Sequence, residues 1–182
     1  MARLHLVRHG HAAAGFTEDR DPGLDAMGQA QAVQVAAALA TKGPLPILVS
    51  PLRRCRETAA PLEALWGVTA EVEPGVAEVA APTDDLAGRG AWLQAAMAAR
   101  WPDLEPEPRA WRDRLLATLS RLTADTVVVT HFIAINAVVG AATDDDRVLV
   151  ARFDNGSCTV VDNGPDGFVL ASSGAVAETE VL

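Results

Sequence analysis

The segment Thr126-Val127-Val128-Val129-Thr130-His131 carries the strongest strand signal in the chain. Three consecutive valines leave no polar alternate face, so such a strand has to be covered on both sides, as strands of parallel sheets are. An apolar, helix-forming stretch follows at once, from Phe132 to Ala142. Two shorter apolar runs repeat the theme, Leu4-His5-Leu6-Val7 and the stretch from Pro46 to Ser50. Each of the three runs ends in chemistry. The first meets Arg8-His9-Gly10-His11, the second Ser50-Pro51-Leu52-Arg53-Arg54, and the third His131.

Between these runs the sequence punctuates itself. Asp25 is a good N-cap, and strong helix formers run from there to Lys42, where Gly43-Pro44 stops them. The spacing predicts a buried stripe of Met27, Ala30, Val33, Ala37 and Ala40. Ser50-Pro51 opens a second helix to about Trp66, with Gly67 ending it. Val68 to Val72 reads as a third strand, and Glu73 to Thr83, with its prolines and glycine, as a loop holding Glu78. Asp84 begins another helix that ends before Trp101-Pro102. Pro102 to Pro108 reads as a surface connection, and Arg109 to Leu122 as an amphipathic helix burying Trp111, Leu115, Leu116 and Leu119. The remaining chain predicts strands over Val148 to Phe153, Ser157 to Asp162 and Phe168 to Ser172, with Asn155-Gly156 and Asn163-Gly164 as hairpin signals. Strands alternating with helices imply an α/β fold, three layers deep, with a mainly parallel central sheet and an antiparallel C-terminal edge. No repeat or internal boundary divides residues 1–182, so one domain is expected.

Composition excludes several partners. The chain of 182 residues carries a net charge of −9 and has no basic stripe, which speaks against nucleic acid. No apolar run approaches the length of a membrane span, and no apolar leader with a cleavage site is present. A soluble, cytoplasmic protein is expected. Cys55 and Cys158 stand alone without CxxC or zinc-type spacing, and reduced thiols are expected. Asp144-Asp145-Asp146 reads as a solvated turn, His5 as a structural residue, and Trp92, Trp101 and Trp111 as core.

In an open parallel α/β sheet, ligands bind at the carboxyl ends of the strands. Arg8, His9, the arginines after Val49, and His131 therefore converge on one crevice. Arginine forks match phosphate oxygens, and a histidine can accept a phosphoryl group or move protons near neutral pH. A helix N-terminus at Ser50-Pro51 adds to the positive end of that site.

Leu6-Val7-Arg8-His9-Gly10, the segment Ser50–Ala59 (Ser-Pro-Leu-Arg-Arg-Cys-Arg-Glu-Thr-Ala) and Val128–His131 resemble, in that order, the histidine phosphatase superfamily with its phosphoglycerate mutase-like fold. Leu24–Ala32 resembles the helix that follows the family's first loop. The resemblance implies that His9 is the nucleophile forming a phosphohistidine. Arg8, Arg54 and His131 would bind the phosphoryl group, with Arg53 in the variable position. Glu78 matches the proton donor, with Glu73 and Asp84 as competitors. His11 reads either as a residue of the pocket entrance, in reach of the substrate, or as an exposed loop histidine. Neither metal nor another cofactor is required in that scheme, and the partner is a small phosphorylated substrate.

The chain also departs from the family pattern. Val79–Asp84 replaces the common Phe-Gly-x-Trp-Glu-Gly, Pro108-Arg109-Ala110 stands where Gly-Glu-Ser is common, and Phe132–Asn136 replaces Gly-Gly and its arginine. These departures speak against a phosphoglycerate mutase, and a short chain without large insertions favours a small phosphatase with an accessible pocket. Two other readings stay open: a non-catalytic phospho-ligand binding module on the same fold, and a phosphohistidine protein phosphatase. Specificity is expected to lie in Phe16–Gly23 and Val79–Pro108.

Overall fold

The computed structural model describes residues 1–15 and 17–175. Among them six strands form one sheet: β1 (Ala2–Arg8), β2 (Ile47–Val49), β3 (Glu71–Val72), β4 (Thr126–Thr130), β5 (Cys158–Gly164) and β6 (Gly167–Ser172). Their order is β3-β2-β4-β1-β5-β6. The first four pair in parallel, and β5 and β6 add an antiparallel edge beside β1. This is the mixed, mainly parallel architecture that the sequence predicts. Helices α1 (Ala26–Leu39), α2 (Arg53–Trp66), α3 (Leu86–Ala98), α4 (Pro106–Ser120) and α5 (Phe132–Thr143) complete it.

Strand β4 explains why there are three layers. Val127 and Val129 point into one core with Val7, Ile47 and Val49, beneath Val35, Ala36 and Leu39 of α1 and Cys55, Ala59 and Leu62 of α2. Val128 points into the other with Leu4, Leu6 and Leu48, beneath Leu115 and Leu119 of α4 and Ile135 and Val138 of α5. Period-two alternation across a doubly covered sheet buries every valine, and each such burial contributes about 1.5–3 kcal/mol. No helix among the described residues is long and apolar enough to cross a membrane.

Several local expectations give way to long-range partners. Helix α1 buries Gly28, Ala32, Val35, Ala36 and Leu39, while Met27 and Val33 are about 60% exposed, at 60% and 59%. The buried face is the one that approaches closest: a Cβ at Gly10 would lie 2.5 Å from the Gly28 carbonyl oxygen. The third strand shrinks to Glu71–Val72, because the Val68 and Ala70 amides donate to the Glu63 carbonyl and carboxylate at the end of α2. The connection from Pro102 ends early, since α4 already starts at Pro106, a residue suited to a first helical turn.

Val148–Phe153 is not a strand. Its Val150 and Ala151 amides donate to the Asn136 side chain instead of to a neighbouring strand, at 2.8 and 2.9 Å. Asn155-Gly156 turns the chain but joins no hairpin. The β5–β6 hairpin turns at Pro165-Asp166, with Gly167 at φ 109°, rather than at Asn163-Gly164. Asn163 lies within β5, and its amide donates to the Leu119, Ser120 and Leu122 carbonyls at the end of α4.

Candidate active site

The crevice sits beyond the carboxyl ends of the parallel strands. Ladder bonds continue past those ends and lock the residues that follow: His9 N donates to Thr130 O, and Ser50 N to Val129 O, both at 3.0 Å. His9 thus leaves β1 beside the point where His131 leaves β4, the central strand. Arg54 comes from the first turn of α2, just after β2. Gly10 N donates to Thr58 Oγ1 at 2.9 Å, and that hydroxyl donates to Arg54 O at 2.7 Å, tying the β1 loop to α2.

All three side chains are buried, His9 at 8%, Arg54 at 7% and His131 at 0% exposure. His9 Nδ1 lies 2.8 Å from Gly10 O, an acceptor, so Nδ1 carries the proton and Nε2 keeps a lone pair. Arg54 Nε donates to that Nε2 at 3.2 Å. The second guanidinium nitrogen, Nη2, lies 3.2 Å from His131 Nδ1, and the two rings meet edge to face at 5.2 Å. A guanidinium only donates, so His131 Nδ1 accepts here and its Nε2–H faces Ser50 Oγ at 2.7 Å. Burial, then the charges of Arg54 and Arg8, push His9 down to about 3. Burial and the neighbouring His9, Arg54 and Arg8 hold His131 well below the usual imidazole range. Both histidines are neutral at pH 7.

Arg8 remains a cation, although burial draws it down to about 10. Its Nη1 donates to Phe153 O at 2.6 Å, while its buried Nε has no hydrogen-bond partner among the described residues. An orphaned buried donor costs about 1–3 kcal/mol, and an anionic oxygen in the crevice would recover it. Glu78, on the loop after β3, is held at the N-terminus of α5, where its Oε2 accepts from Ile133 N at 3.0 Å and its Oε1 from Val79 N at 3.1 Å. Burial raises its pKa against those two bonds and the pull of Arg54 and Arg8. A carboxyl that holds its proton longer than usual suits a proton donor.

The five residues singled out from the sequence, Arg8, His9, Arg54, Glu78 and His131, therefore share one electrostatic neighbourhood. Of the competitors, Glu73 accepts from Gly75 N at 2.7 Å within its own turn, and Asp84 pairs with Arg20 on the surface. The sequence as a whole matches the histidine phosphatase superfamily (branch 1) over residues 4–175. The chain belongs to that superfamily.

As a histidine phosphatase superfamily member it has relatives on both sequence and structural grounds. It is 34% identical over 128 residues to the uncharacterized protein Rv0525 of Mycobacterium tuberculosis, a match covering 66% of this chain and 62% of that protein. The chain thus spans less than two thirds of that relative's length. The mycobacterial glucosyl-3-phosphoglycerate phosphatase Rv2419c, solved with VO3, superposes with a TM-score of 0.74 at 22% identity, over 96% of this chain and 100% of that one. YhfR of Bacillus stearothermophilus gives 0.78 at 16% identity, over 97% and 98%. At these identities the superpositions speak to the shared phosphoglycerate mutase-like fold.

Within this superfamily member, some functional neighbours escape a sequence reading. Helix α2 begins at Arg53, with Leu52 as its cap residue, so Ser50 is not the helix cap that its Ser-Pro context suggests. Its hydroxyl accepts from Leu52 N at 3.3 Å and serves His131. The Asn155-Gly156 turn cradles the β1 exit: Asn155 Nδ2 donates to His9 O and Gly156 N to Arg8 O, both at 3.0 Å. Thr58 alone among them carries a local signal, since it stands four residues after Arg54 and so on the same helix face. His11 lies on the rim, half exposed, with its Nδ1 2.8 Å from Asp25 Oδ2. Cys55 packs 3.3 Å from His131 Nε2, and burial pushes its thiol up, out of the reactive range. Both cysteines are free. Of the expected specificity loop Phe16–Gly23, Phe16 lies outside the described residues.

Proposed function

We propose that the protein is a phosphatase that hydrolyses a small phosphomonoester through a phosphohistidine on His9. The observation that carries this reading is the tautomer of His9, whose Nδ1–H is spent on Gly10 O so that Nε2 presents its lone pair to the crevice. Arg54, which occupies that lone pair in the free protein, turns to the phosphoryl oxygens when they arrive. Arg8 contributes its unpartnered Nε–H. With Arg54 withdrawn, the Ser50 hydroxyl can donate to His131 Nε2, which places the proton of His131 on Nδ1, toward the phosphoryl group.

His9 Nε2 then attacks phosphorus as the bond to the leaving oxygen breaks, and Glu78 gives its proton to that oxygen. The resulting carboxylate takes a proton from water, whose oxygen attacks phosphorus and breaks the P–N bond. Inorganic phosphate leaves, and His9 and Glu78 return to their starting states. Donors fixed in place for the charge of the transferring group contribute a few kcal/mol each to the rate. In this scheme Arg8, Arg54 and His131 supply the positive and donor groups, and no metal takes part.

Support for a small ester over a phosphohistidine protein comes from the rim. The loop after β1 and the segment after β3 meet each other, although β2 and β4 lie between those strands. Arg20 Nη2 donates to Asp84 O at 2.8 Å and its Nη1 pairs with Asp84 Oδ1 at 3.0 Å. That contact joins the two loops in which specificity is expected to lie, which suits recognition of a small leaving group. The test is hydrolysis of an aryl phosphate and of a panel of phosphometabolites with chelator present. Turnover that disappears in His9→Ala is expected. Turnover unchanged in His9→Ala would sink the proposal, and phosphate binding without turnover would favour a phospho-ligand binding module.

A further inference from the structure

Arg8 is supported from behind by groups that have no place in the chemistry itself. Its guanidinium carbon lies 4.8 Å from the centroid of the Phe132 ring, within cation–π range. Its Nη1 is held by the Phe153 carbonyl oxygen at 2.6 Å. Phe132 opens α5, whereas Phe153 ends the irregular segment 148–153, so the two supports arrive on separate pieces of chain. A single buried side chain joins them. Asn136, one turn along α5 from Phe132 and 0% exposed, donates from Nδ2 to Phe132 O at 2.9 Å. Its Oδ1 accepts from both Val150 N and Ala151 N, in the segment that delivers Phe153.

Asn136 is the lone polar side chain in the buried run from Phe132 to Gly140. A buried amide persists where its bonds are needed, and here an apolar residue would orphan two backbone donors. Those donors lie in an irregular segment that joins no strand. The bonds therefore fix the height and direction of the Phe153 carbonyl relative to α5, and the same residue anchors the carbonyl of Phe132. With the aromatic face and the carbonyl both fixed, Arg8 can neither swing about its side-chain axis nor slide along it. Its buried Nε–H is left without a hydrogen-bond partner among the described residues.

We infer that Phe132, Asn136 and the Phe153 carbonyl form a brace that holds Arg8 in its phosphoryl-binding orientation, making Phe132 and Asn136 positioning residues of the reaction. The inference rests on the proposed role of Arg8 as a phosphoryl ligand. A double-mutant cycle on Arg8→Ala and Phe132→Leu tests it, with inhibition by orthovanadate and kcat/KM for an aryl phosphate as readouts and Tm as the folding control. The brace predicts that Phe132→Leu weakens vanadate binding and lowers kcat/KM roughly tenfold in the wild-type background, the scale of a desolvated cation–π contact. In the Arg8→Ala background the same change does almost nothing. Phe132→Tyr, which keeps the aromatic face, stays near wild type. Asn136→Ala moves both readouts in the same direction as Phe132→Leu.

Equal losses from Phe132→Leu in both backgrounds would make its role structural and overturn the brace, as would no loss in the wild-type background. If Phe132→Leu does not fold, Phe132→Met carries the same comparison. Failure of the underlying reading looks different. Arg8→Ala would then bind vanadate as wild type does, or the wild type would neither bind it nor turn over, and the brace would fall with that reading.

Discussion

The floor of the crevice and its rim are built by different physics. On the floor, His9, Arg54 and His131 are buried and bonded to one another or to strand-end backbone. On the rim, Arg20 and Asp84 pair while 60% and 93% exposed, and His11 and Asp25 while 51% and 36% exposed. Exposed pairs contribute about 0–1 kcal/mol and can part on binding, whereas each bond on the floor is strengthened by low-dielectric surroundings. On the proposed reading, the phosphoryl group is recognised at the buried floor, and what it is attached to at the adjustable rim.

Substitutions should separate the two regions by the size of their effects. The largest falls on the floor: His9→Ala should lower kcat/KM by about 10⁴-fold or more, since the nucleophile acts as part of a unit. Glu78→Gln comes next, losing about 10²–10⁴-fold on alkyl phosphates and less on aryl phosphates, whose leaving oxygen needs less protonation. Because burial raises the Glu78 pKa, wild-type activity should fall as pH rises through that value, and this alkaline limb should vanish in Glu78→Gln. A pH–rate profile on both substrates checks it.

Stability should respond more mildly. The folded pKa of His9 lies at about 3, below the unfolded value of about 6.5. The unfolded chain therefore binds a proton first, and stability is lost as pH falls from about 6.5 toward 3. The slope is at most about 1.4 kcal/mol per pH unit for each such histidine. His131 adds in the same sense, and Glu78, raised rather than lowered, opposes both. Denaturant unfolding at pH 7 and pH 5 should show a smaller acid loss in His9→Gln than in wild type. The smallest effect belongs to the rim: Arg20→Ala should change stability by less than about 1 kcal/mol and KM by a few-fold, leaving vanadate affinity unchanged.

The same division governs how much the sequence revealed. Strand β4 was legible because three adjacent valines admit one environment. His9, His131 and the arginines after β2 were legible because topology gathers strand-end residues, and the family resemblance singled out Arg54 among those arginines. Helix α1 was misread because an alanine-rich helix has no strong apolar face, and its buried side was chosen by how closely Gly28 and Gly10 approach. Val148–Phe153 looks like a strand to any local rule, since the groups that capture its amides belong to Asn136 on another element. Asn163-Gly164 failed for a similar reason: the asparagine serves the carbonyl end of α4, more than forty residues away. Ser50, Asn155 and Phe132 escaped because each acts through a residue far off in sequence, and no spacing records such a contact.

The proposed reaction turns on covalent transfer of the phosphoryl group to His9. Rapid mixing with a phosphate ester, an alkaline denaturing quench and intact-mass spectrometry test it directly, because phosphohistidine survives base and is lost in acid. An adduct of one phosphoryl group is expected, mapped to His9, increased in Glu78→Gln where water is not activated, and absent in His9→Ala. Steady turnover with no acid-labile adduct on His9, in wild type or in Glu78→Gln, would contradict it.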